Sequence, residues 1–399
     1  MDNLTIINLA QVELPKFIEP RYNDWILYGS DNLFPDKLID LANRSALHNA
    51  IISSKVDNVC AGGFTYKKRT DTKTDKFLDH PNPNESFEDI FRKITYDYVV
   101  FGGYALNIIL SKDKQSISEI YHIDFSKIRC GKANEKGIVE EYWYSKDWAN
   151  YRKGEYKPES IPAYSEGSKE PSQLFYFKQY QPGISYYPLP QYVGALAYIE
   201  VDTEIANFHL AHIKNGMTPS VLINFNNGIP SSDERKKIER QIEAKYNGTD
   251  NAGKFILSFS EDASKAPTVT TLTPSQLDKQ FIQLQDTVLQ NILSGHKVTS
   301  PMLVGIKTEG QLGGTSELMN AYQIYTNTVI VPIQNTLMRT VNMICERNGL
   351  QKLELIPISP IEFSWEEGTL KEIMTKDEMR EKIGLEPLEK PNIIPTTTI

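Results

Sequence analysis

The stretch that most constrains this fold is a helix, a turn-rich loop and a second helix, running from Ser275 to about Leu350. Ser275 to His296 reads as an amphipathic helix. Leu277, Phe281, Leu284, Val288 and Ile292 recur at spacings of four, three, four and four, a single stripe at the helical period. The opposite face is mostly neutral and polar: Gln280, Gln283, Gln285, Gln290 and Asn291. The loop VTSPMLVGIKTEGQLGGT (Val298 to Thr315) follows, and then a long helix from Ser316 to Arg347. Its stripe is Leu318, Tyr322, Tyr325, Val329, Ile333, Leu337, Val341 and Ile344. Pro332 lacks a backbone N–H and its ring clashes with the preceding turn, so a kink is expected near Thr328 to Val331.

Composition narrows what such a chain can do. It has 399 residues, 40% of them hydrophobic, enough for two or three domains. Charged residues make up 24%, an ordinary globular share. With 43 basic and 51 acidic residues the net charge is -8. That disfavours a protein gripping nucleic acid through many phosphate contacts, but not one that lets nucleic acid slide past. Cys60, Cys130 and Cys345 are scattered and form no C-x-x-C, which argues against a disulfide framework or zinc site and fits a reducing compartment. The start of the chain lacks the pattern of a signal peptide. No apolar run reaches the length of a membrane span, so no membrane partner is expected.

Residues before the central stretch read as follows. Asp31 or Asn32 opens a turn in an irregular start. Pro35 to Val56 reads as a helix, Gly62-Gly63 ends that region, 64–84 is polar, and HPNPNES (His80 to Ser86) reads as a proline-punctuated loop. Ser86 is placed to cap a helix reaching about Tyr98, with Glu88 and Asp89 in its first turn. Tyr104 to Ile109, Ile117 to Ile123, Val139 to Trp143 and Leu174 to Tyr180 carry strand signals, so about 86–188 reads as an α+β domain. Gln191 to Asn215 reads as a helix with Gly216 as its C-cap. Strand Ser220 to Phe225, charged helix Asp233 to Tyr246 (capped by Ser231 or Ser232) and strand Lys254 to Ser258 follow, with a further strand at Val269 to Leu272. After the long helix, Leu353 to Phe363 suits an edge strand because of Pro357 and Pro360, and Thr375 caps a short helix, Lys376 to Lys382.

No catalytic motif stands up. The loop around Gly310, Gly313 and Gly314 precedes a helix but lacks the lysine of a phosphate loop, so it reads as a flexible connection. Lys307 and Glu309 within it could touch something passing by. His209 and His212 lie three apart on one helix without a third ligand nearby, and read as ordinary hydrogen-bonded histidines. Tyr176, Tyr180, Tyr186, Tyr187 and Tyr192 have few basic residues among them. They read as buried at a subunit interface rather than as a base-stacking platform. No cofactor is implied.

At YYPLPQYVGALAYIEVDTEIANFHLAHIKNGMTPSVLINF (Tyr186 to Phe225) the chain resembles the portal proteins of tailed bacteriophages and prophages. The proline-led helix exits through Asn215-Gly216-Met217-Thr218-Pro219 into a strand, as in that family. Asn251-Ala252-Gly253-Lys254, Val298 to Gly305, Glu317 to Pro332 and TKDEMREKIGLEP (Thr375 to Pro387) continue the resemblance in order, and Asp31 to Gly63 does so more loosely. The sequence departs from the family at Ser300, where the family has a proline, and in the short segment after the last helix.

The resemblance implies an α+β, ring-forming subunit with an α/β wing, a helical stem, a small α/β clip and a long kinked helix. Residues 1–190 and 316–370 would be wing, 191–215 and 274–297 stem helices, 216–273 clip, 298–315 a tunnel loop and 371–399 a short C-terminal segment. It further implies a non-enzymatic dodecamer at one capsid vertex, through which double-stranded DNA is packaged and ejected without sequence specificity. The implied partners are the terminase large subunit, a head–tail adaptor, and the major capsid and scaffolding proteins; the implied location is the virion, after assembly in the bacterial cytoplasm. Lys307, Thr308, Glu309 and Gln311 would contact DNA from the tunnel loop, and Gln283 and Gln290 would face the channel from the stem. A metal-dependent nucleic-acid enzyme with dispersed carboxylates, and another virion head-closure protein, remain the alternatives.

Overall fold

The computed structural model describes residues 15, 17–67, 71–214, 221–225, 230–246, 255–259, 277–306 and 315–358. Residues up to Ile356 form one unit, and of the second, beginning at Pro357, only 357–358 are described. Strands β1 (Phe17–Ile18) and β2 (Leu27–Tyr28) pair antiparallel. Helices α1 (Phe34–Arg44) and α2 (Ala46–Cys60) stand where one helix was expected over 35–56. Ser45 divides them: its backbone is extended, and its Oγ accepts from His48 N, so it ends one helix and caps the next. After β3 (Phe64–Thr65), helix α3 (Thr72–Asp79) stands in the polar stretch, where no helix was expected, capped by the Asp71 carboxylate.

Helix α4 (Phe87–Phe101) begins as expected. Ser86 Oγ accepts from Asp89 N while the Asp89 carboxylate accepts from Ser86 N, a reciprocal cap. It ends at Gly102, whose φ of +82 is easy only for glycine and where a Cβ would sit 2.5 Å from the Leu189 carbonyl. Strand β4 (Gly103–Leu110) follows directly and pairs with β5 (Ile117–Ile123). Strands β6 (Ile128–Cys130), β7 (Glu141–Tyr144) and β8 (Glu159–Pro162) make a second antiparallel sheet in that order. Only β7 was anticipated; β6 and β8, of three and four residues, are too short to show a period. Strand β9 (Ser172–Lys178) returns to the other edge of β4.

A 3-10 turn, Val193–Ala195, opens helix α5 (Leu196–Lys214). Strand β10 (Val221–Phe225), helix α6 (Ser232–Tyr246) and strand β11 (Phe255–Phe259) form a parallel strand–helix–strand unit with Val221 opposite Phe255. Helix α7 (Leu277–Gly295) leads to a 3-10 turn at Pro301–Val304. Helix α8 (Thr315–Tyr325) passes through a π turn, Thr326–Ile330, into α9 (Val331–Arg347). The wider turn answers the kink expectation: Pro332 can donate no hydrogen bond to the preceding turn, and the chain takes up the mismatch just before it. Strand β12 (Glu354–Leu355) pairs with β3, so the edge strand expected over 353–363 is two residues long within the described part. The strand at 269–272, the Gly216 cap and the helix at 376–382 lie outside the described residues.

Two hydrophobic clusters organise these mixed helices and sheets. The first joins α1 and α2 to Ile128, Tyr187, Leu196, Ile199, Val288 and Ile292. The second joins Phe87, Phe91 and Ile94 of α4, with β4 and β5, to Tyr325, Val329, Ile333, Leu337, Val341 and Ile344. Polar contacts pin the same junction. Tyr104 OH donates to Thr340 Oγ1 at 2.7 Å, and Asn348 bonds both the N–H and the carbonyl of Ile117. The tyrosines of 176–192 correct an expectation. Tyr187 and Tyr192 are buried within this one chain, Tyr187 stacked on Tyr28 at 4.0 Å and donating to the Ile26 carbonyl, while Tyr180 is exposed.

Arg129 is fully buried without a carboxylate partner in hydrogen-bond reach. Its Nε and one terminal nitrogen donate to Asn32 Oδ1 and the Asn32 carbonyl at 2.6 Å each, and the other terminal nitrogen donates to the Ser126 and Ile128 carbonyls at 2.8 Å. The guanidinium also packs 4.7 Å from the Trp148 ring centre. Asn32 holds a left-handed φ of +66 to present both oxygens, so the turn expected at Asp31–Asn32 is fixed by this arginine. Arg129→Met would strip a donor from each of those buried acceptors, leaving Asn32 Oδ1 only Tyr28 N, and is expected to destabilise the fold by about 3 kcal/mol or more. Chemical denaturation checks this, and Arg129→Lys should recover only part of the loss.

Candidate nucleic-acid interface

Helices α5 and α7 pack against each other and against the first core cluster by their inner ends. On α7, Val288, Ile292 and Leu293 are buried, but Leu284, from the same stripe, is 40% exposed. The side chains of Leu277 and Phe281 lie outside the described set. On α5, Leu196, Ile199 and Ile205 are buried, whereas every residue from Ala206 to Leu210 is exposed. The inner half of α5 is further tied down by charge and hydrogen bonds: Lys37 to Glu200 at 3.9 Å, Arg44 to Glu204 at 3.4 Å, and Ser45 Oγ donating to Asp202 at 2.6 Å. Each of the two ion pairs is half exposed and contributes little energy; together they fix direction.

The expected channel-facing residues Gln283 and Gln290 are both exposed. They are seven apart and therefore share a helix face, with Thr287 and Ser294 between and beyond them, also exposed. Gln283, Thr287, Gln290 and Ser294 make a stripe with hydrogen-bonding capacity and no charge; Asp286 flanks it. His209 of α5 faces α7, its Nε2 3.3 Å from Gln285 Nε2, and the side chain of His212 lies outside the described set. Among the described residues no three His, Cys, Asp or Glu side chains are grouped to hold a metal ion. Nor is any helix among them long and apolar enough to cross a membrane.

The incoming foot of the 298–315 loop is held at two points. Thr299 Oγ1 donates to the Ala321 carbonyl at 2.7 Å, tying it to α8, and Ser54 Oγ of α2 donates to the Leu303 carbonyl at 3.3 Å. Gly305 closes the 3-10 turn with a φ of +78. Lys307, Thr308, Glu309 and Gln311 lie outside the described residues.

The sequence reading missed the joint from which the loop departs. Gly295, the last residue of α7, lies so close to Ala195 that a Cβ on it would be 2.4 Å from the alanine Cβ. The next residue, His296, is buried with His48 and Lys55 of α2. His48 Nδ1 and His296 Nε2 are 2.8 Å apart, Lys55 Nζ donates to the His296 carbonyl at 3.1 Å, and the same Nζ is 3.5 Å from His296 Nδ1. Tyr192 packs on both imidazoles, and its OH donates to the Val100 carbonyl at 2.8 Å. Nothing local signals this cluster, because its members are 241 and 248 residues apart.

The joint can be tested at its tightest point. Gly295→Ala adds a helix-favouring residue, worth up to about 1 kcal/mol on propensity. The overlap with Ala195 should cost about 1–3 kcal/mol and outweigh it. A lowered melting temperature is expected, with recovery when Ala195→Gly is added; a melting temperature that stays level or rises would contradict the packing.

Known proteins place this architecture. A family model described as "Phage portal protein" matches residues 54–350. An uncharacterised protein of Rickettsia bellii (strain RML369-C) is 22% identical over 242 residues, 60% of this chain and 57% of that protein. One of Rickettsia felis (strain ATCC VR-1525 / URRWXCal2) is 22% identical over 328 residues, 78% of this chain and 77% of that protein. The chain thus spans little more than half the length of the first of these relatives. Among solved structures, a chain from the neck of an empty gene transfer agent particle, computed with C6 symmetry, superposes with a TM-score of 0.56 at 15% identity, covering 89% of this chain and 95% of that one. A chain from the virion of the native gene transfer agent particle gives 0.55 at 15% identity, covering 88% and 94%. These likenesses show a common fold, and the family match covers well over half of the sequence: the chain belongs to the phage portal protein family.

Proposed function

We propose that this chain is the subunit of a portal ring, a non-enzymatic head–tail connector at the vertex of a virion, through which double-stranded DNA enters and leaves. The observation that carries the reading is the exposure pattern on the outer parts of α5 and α7. Helices α5 and α7 run out from the core, leaving Val201, Leu210 and Leu284 at 36%, 50% and 40% exposure, while α7 carries the uncharged polar stripe on another face. Neighbouring copies in a closed ring would cover apolar seams of this kind by repeating one interface. The Gln283–Thr287–Gln290–Ser294 stripe would face the hole. Neutral amides and hydroxyls next to duplex DNA offer hydrogen bonds without fixed cations, so phosphates are not held at any one step.

In this proposal 1–190 and 316–370 are wing, and α5 and α7, within 191–215 and 274–297, are stem. Residues 216–273 are clip, 298–315 the tunnel loop that brings Lys307, Thr308, Glu309 and Gln311 to the DNA, and 371–399 a short C-terminal segment. The second core cluster supports the split wing, because residues 59–120 and 325–353 bury their side chains together. A two-stranded sheet with one helix is too small to stand alone, so β10–α6–β11 would gain stability from adjoining copies. The clip would meet the terminase large subunit and later a head–tail adaptor. The wing would meet the major capsid and scaffolding proteins, with assembly in the bacterial cytoplasm. Twelve subunits is the number proposed; the gene transfer agent neck has been computed with both C6 and C12 symmetry.

Light scattering on the size-fractionated full chain tests assembly. One discrete high-mass species is expected. Leu284→Asp is expected to shift it to single subunits with unchanged helix content, since the position is exposed in one copy and costs the fold little. A wild-type chain that stays monomeric across concentrations, or an L284D chain that assembles normally, would sink the seam assignment.

A further inference from the structure

The buried cluster at the end of α7 has a property that its packing alone does not require: three basic groups meet and no acid joins them. Among the described residues, those that act electrostatically on His48, Lys55 and His296 are one another and Lys297, the exposed residue that follows. The other elements packed nearby contribute neutral groups. The turn before α5 supplies Tyr192, α4 the Val100 carbonyl, with Tyr96 acting on Tyr192, and the 301–304 turn the Leu303 carbonyl. Asp202 of α5 is held by Ser45 rather than by the cluster.

The hydrogen bonds leave no room for another proton. One direction of donation satisfies all the contacts: the Lys55 ammonium toward His296 Nδ1 and its carbonyl, and the His296 Nε2–H to His48 Nδ1. His48 Nε2 is then left buried without a partner. A proton added to His296 would sit on Nδ1, against the ammonium. A proton added to His48 would sit on Nδ1, against the His296 N–H. Either one turns the 2.8 Å attraction, or its neighbour, into a repulsion in a site without water-like screening.

We propose that His48, Lys55 and His296 form a proton-operated latch: with both imidazoles neutral it holds the end of α7 and the first foot of the 298–315 loop against α2, and a proton on either imidazole releases them. The latch stands on this geometry alone. Where the released segment, 298–306, would lie relative to a channel rests on the portal reading above.

The direction with pH follows from burial. Burial, with Lys55 next, takes His48 from its ordinary 6.5 to about 3, and burial, Lys55 and His48 take His296 well below it. The open form therefore binds more protons than the closed one below about 6.5. The imidazoles' share of the closed latch is complete above that value and is lost as pH falls toward 3. Lys55, lowered by burial to about 7 from 10.5, adds to the closed form as pH rises between those values, in the same sense.

Amide hydrogen exchange on the full chain, in whatever oligomeric state it adopts, tests the latch between about pH 7.5 and pH 5 after correction for intrinsic rates. Protection at residues 292–298 is expected to fall about thirtyfold for each imidazole released, since pH 5 lies about 1.5 units below the ordinary histidine value. Core amides of α4 should stay level. In His48→Gln/His296→Gln, whose amides keep hydrogen bonds but cannot charge, only the smaller fall that Lys55 carries should remain. If that chain does not fold, His48→Gln and His296→Gln are made singly, and each should shrink the fall at least threefold. A wild-type fall below about threefold, or an equal fall in the variants, overturns the latch. No DNA is present, so a failed latch leaves the ring untouched, and a chain that forms no ring can still show the acid fall.

Discussion

The structure depends on a single close contact, the one between the end of α7 and the turn that opens α5. With no side chain on Gly295, the Ala195 methyl reaches the α7 backbone, and Tyr192 and His296 then stack at 4.7 Å. Everything that runs outward, helices α5 and α7 and the segment that follows α7, leaves from this joint. Everything inward, α1, α2 and the tyrosines that stack with them, is fixed by the same first core cluster. The second cluster plays the matching role for α9, closing on α4 and β4 from more than two hundred residues away. The apolar side chains left exposed on the outer parts of α5 and α7 make sense as seams in the proposed ring.

Much of this was legible because local chemistry announced it. Ser86 and Asp89 mark the start of α4 as plainly in sequence as in structure. The α7 stripe and the stripe from Tyr325 to Ile344 have the helical period, and the structure buries Val288, Ile292, Tyr325, Val329, Ile333, Leu337, Val341 and Ile344. The strand–helix–strand unit of β10, α6 and β11 follows from its turn residues. The sequence pattern also separated the neutral face of α7 from its apolar one, and both Gln283 and Gln290 are exposed.

What escaped the sequence reading did so for physical reasons. The apolar rhythm from Leu38 to Val56 runs through Ser45, so periodicity could not show that a cap divides it. Helix α3 buries only Thr74 and has no stripe to detect. Pro332 foretold an irregularity, but whether the chain bends or widens by one residue depends on packing against α2, which is remote in sequence. Nothing local marks Arg129 as buried; its burial requires Asn32 in a left-handed turn 97 residues away. The tyrosines near 187 looked like interface residues because nothing local shows that Tyr28 stacks on one of them. The His48–Lys55–His296 cluster is the extreme case, built wholly from long-range contacts.

The central claim is that α7 turns its uncharged stripe toward the axis of a ring, and a cryo-electron-microscopy reconstruction of the assembled protein tests it most directly. The account predicts a closed ring whose hole admits duplex DNA. Gln283, Thr287, Gln290 and Ser294 should line that hole, and Leu284 should be buried against the adjoining copy. A ring whose hole is lined by other elements, with this stripe turned outward or covered by a neighbour, would contradict it.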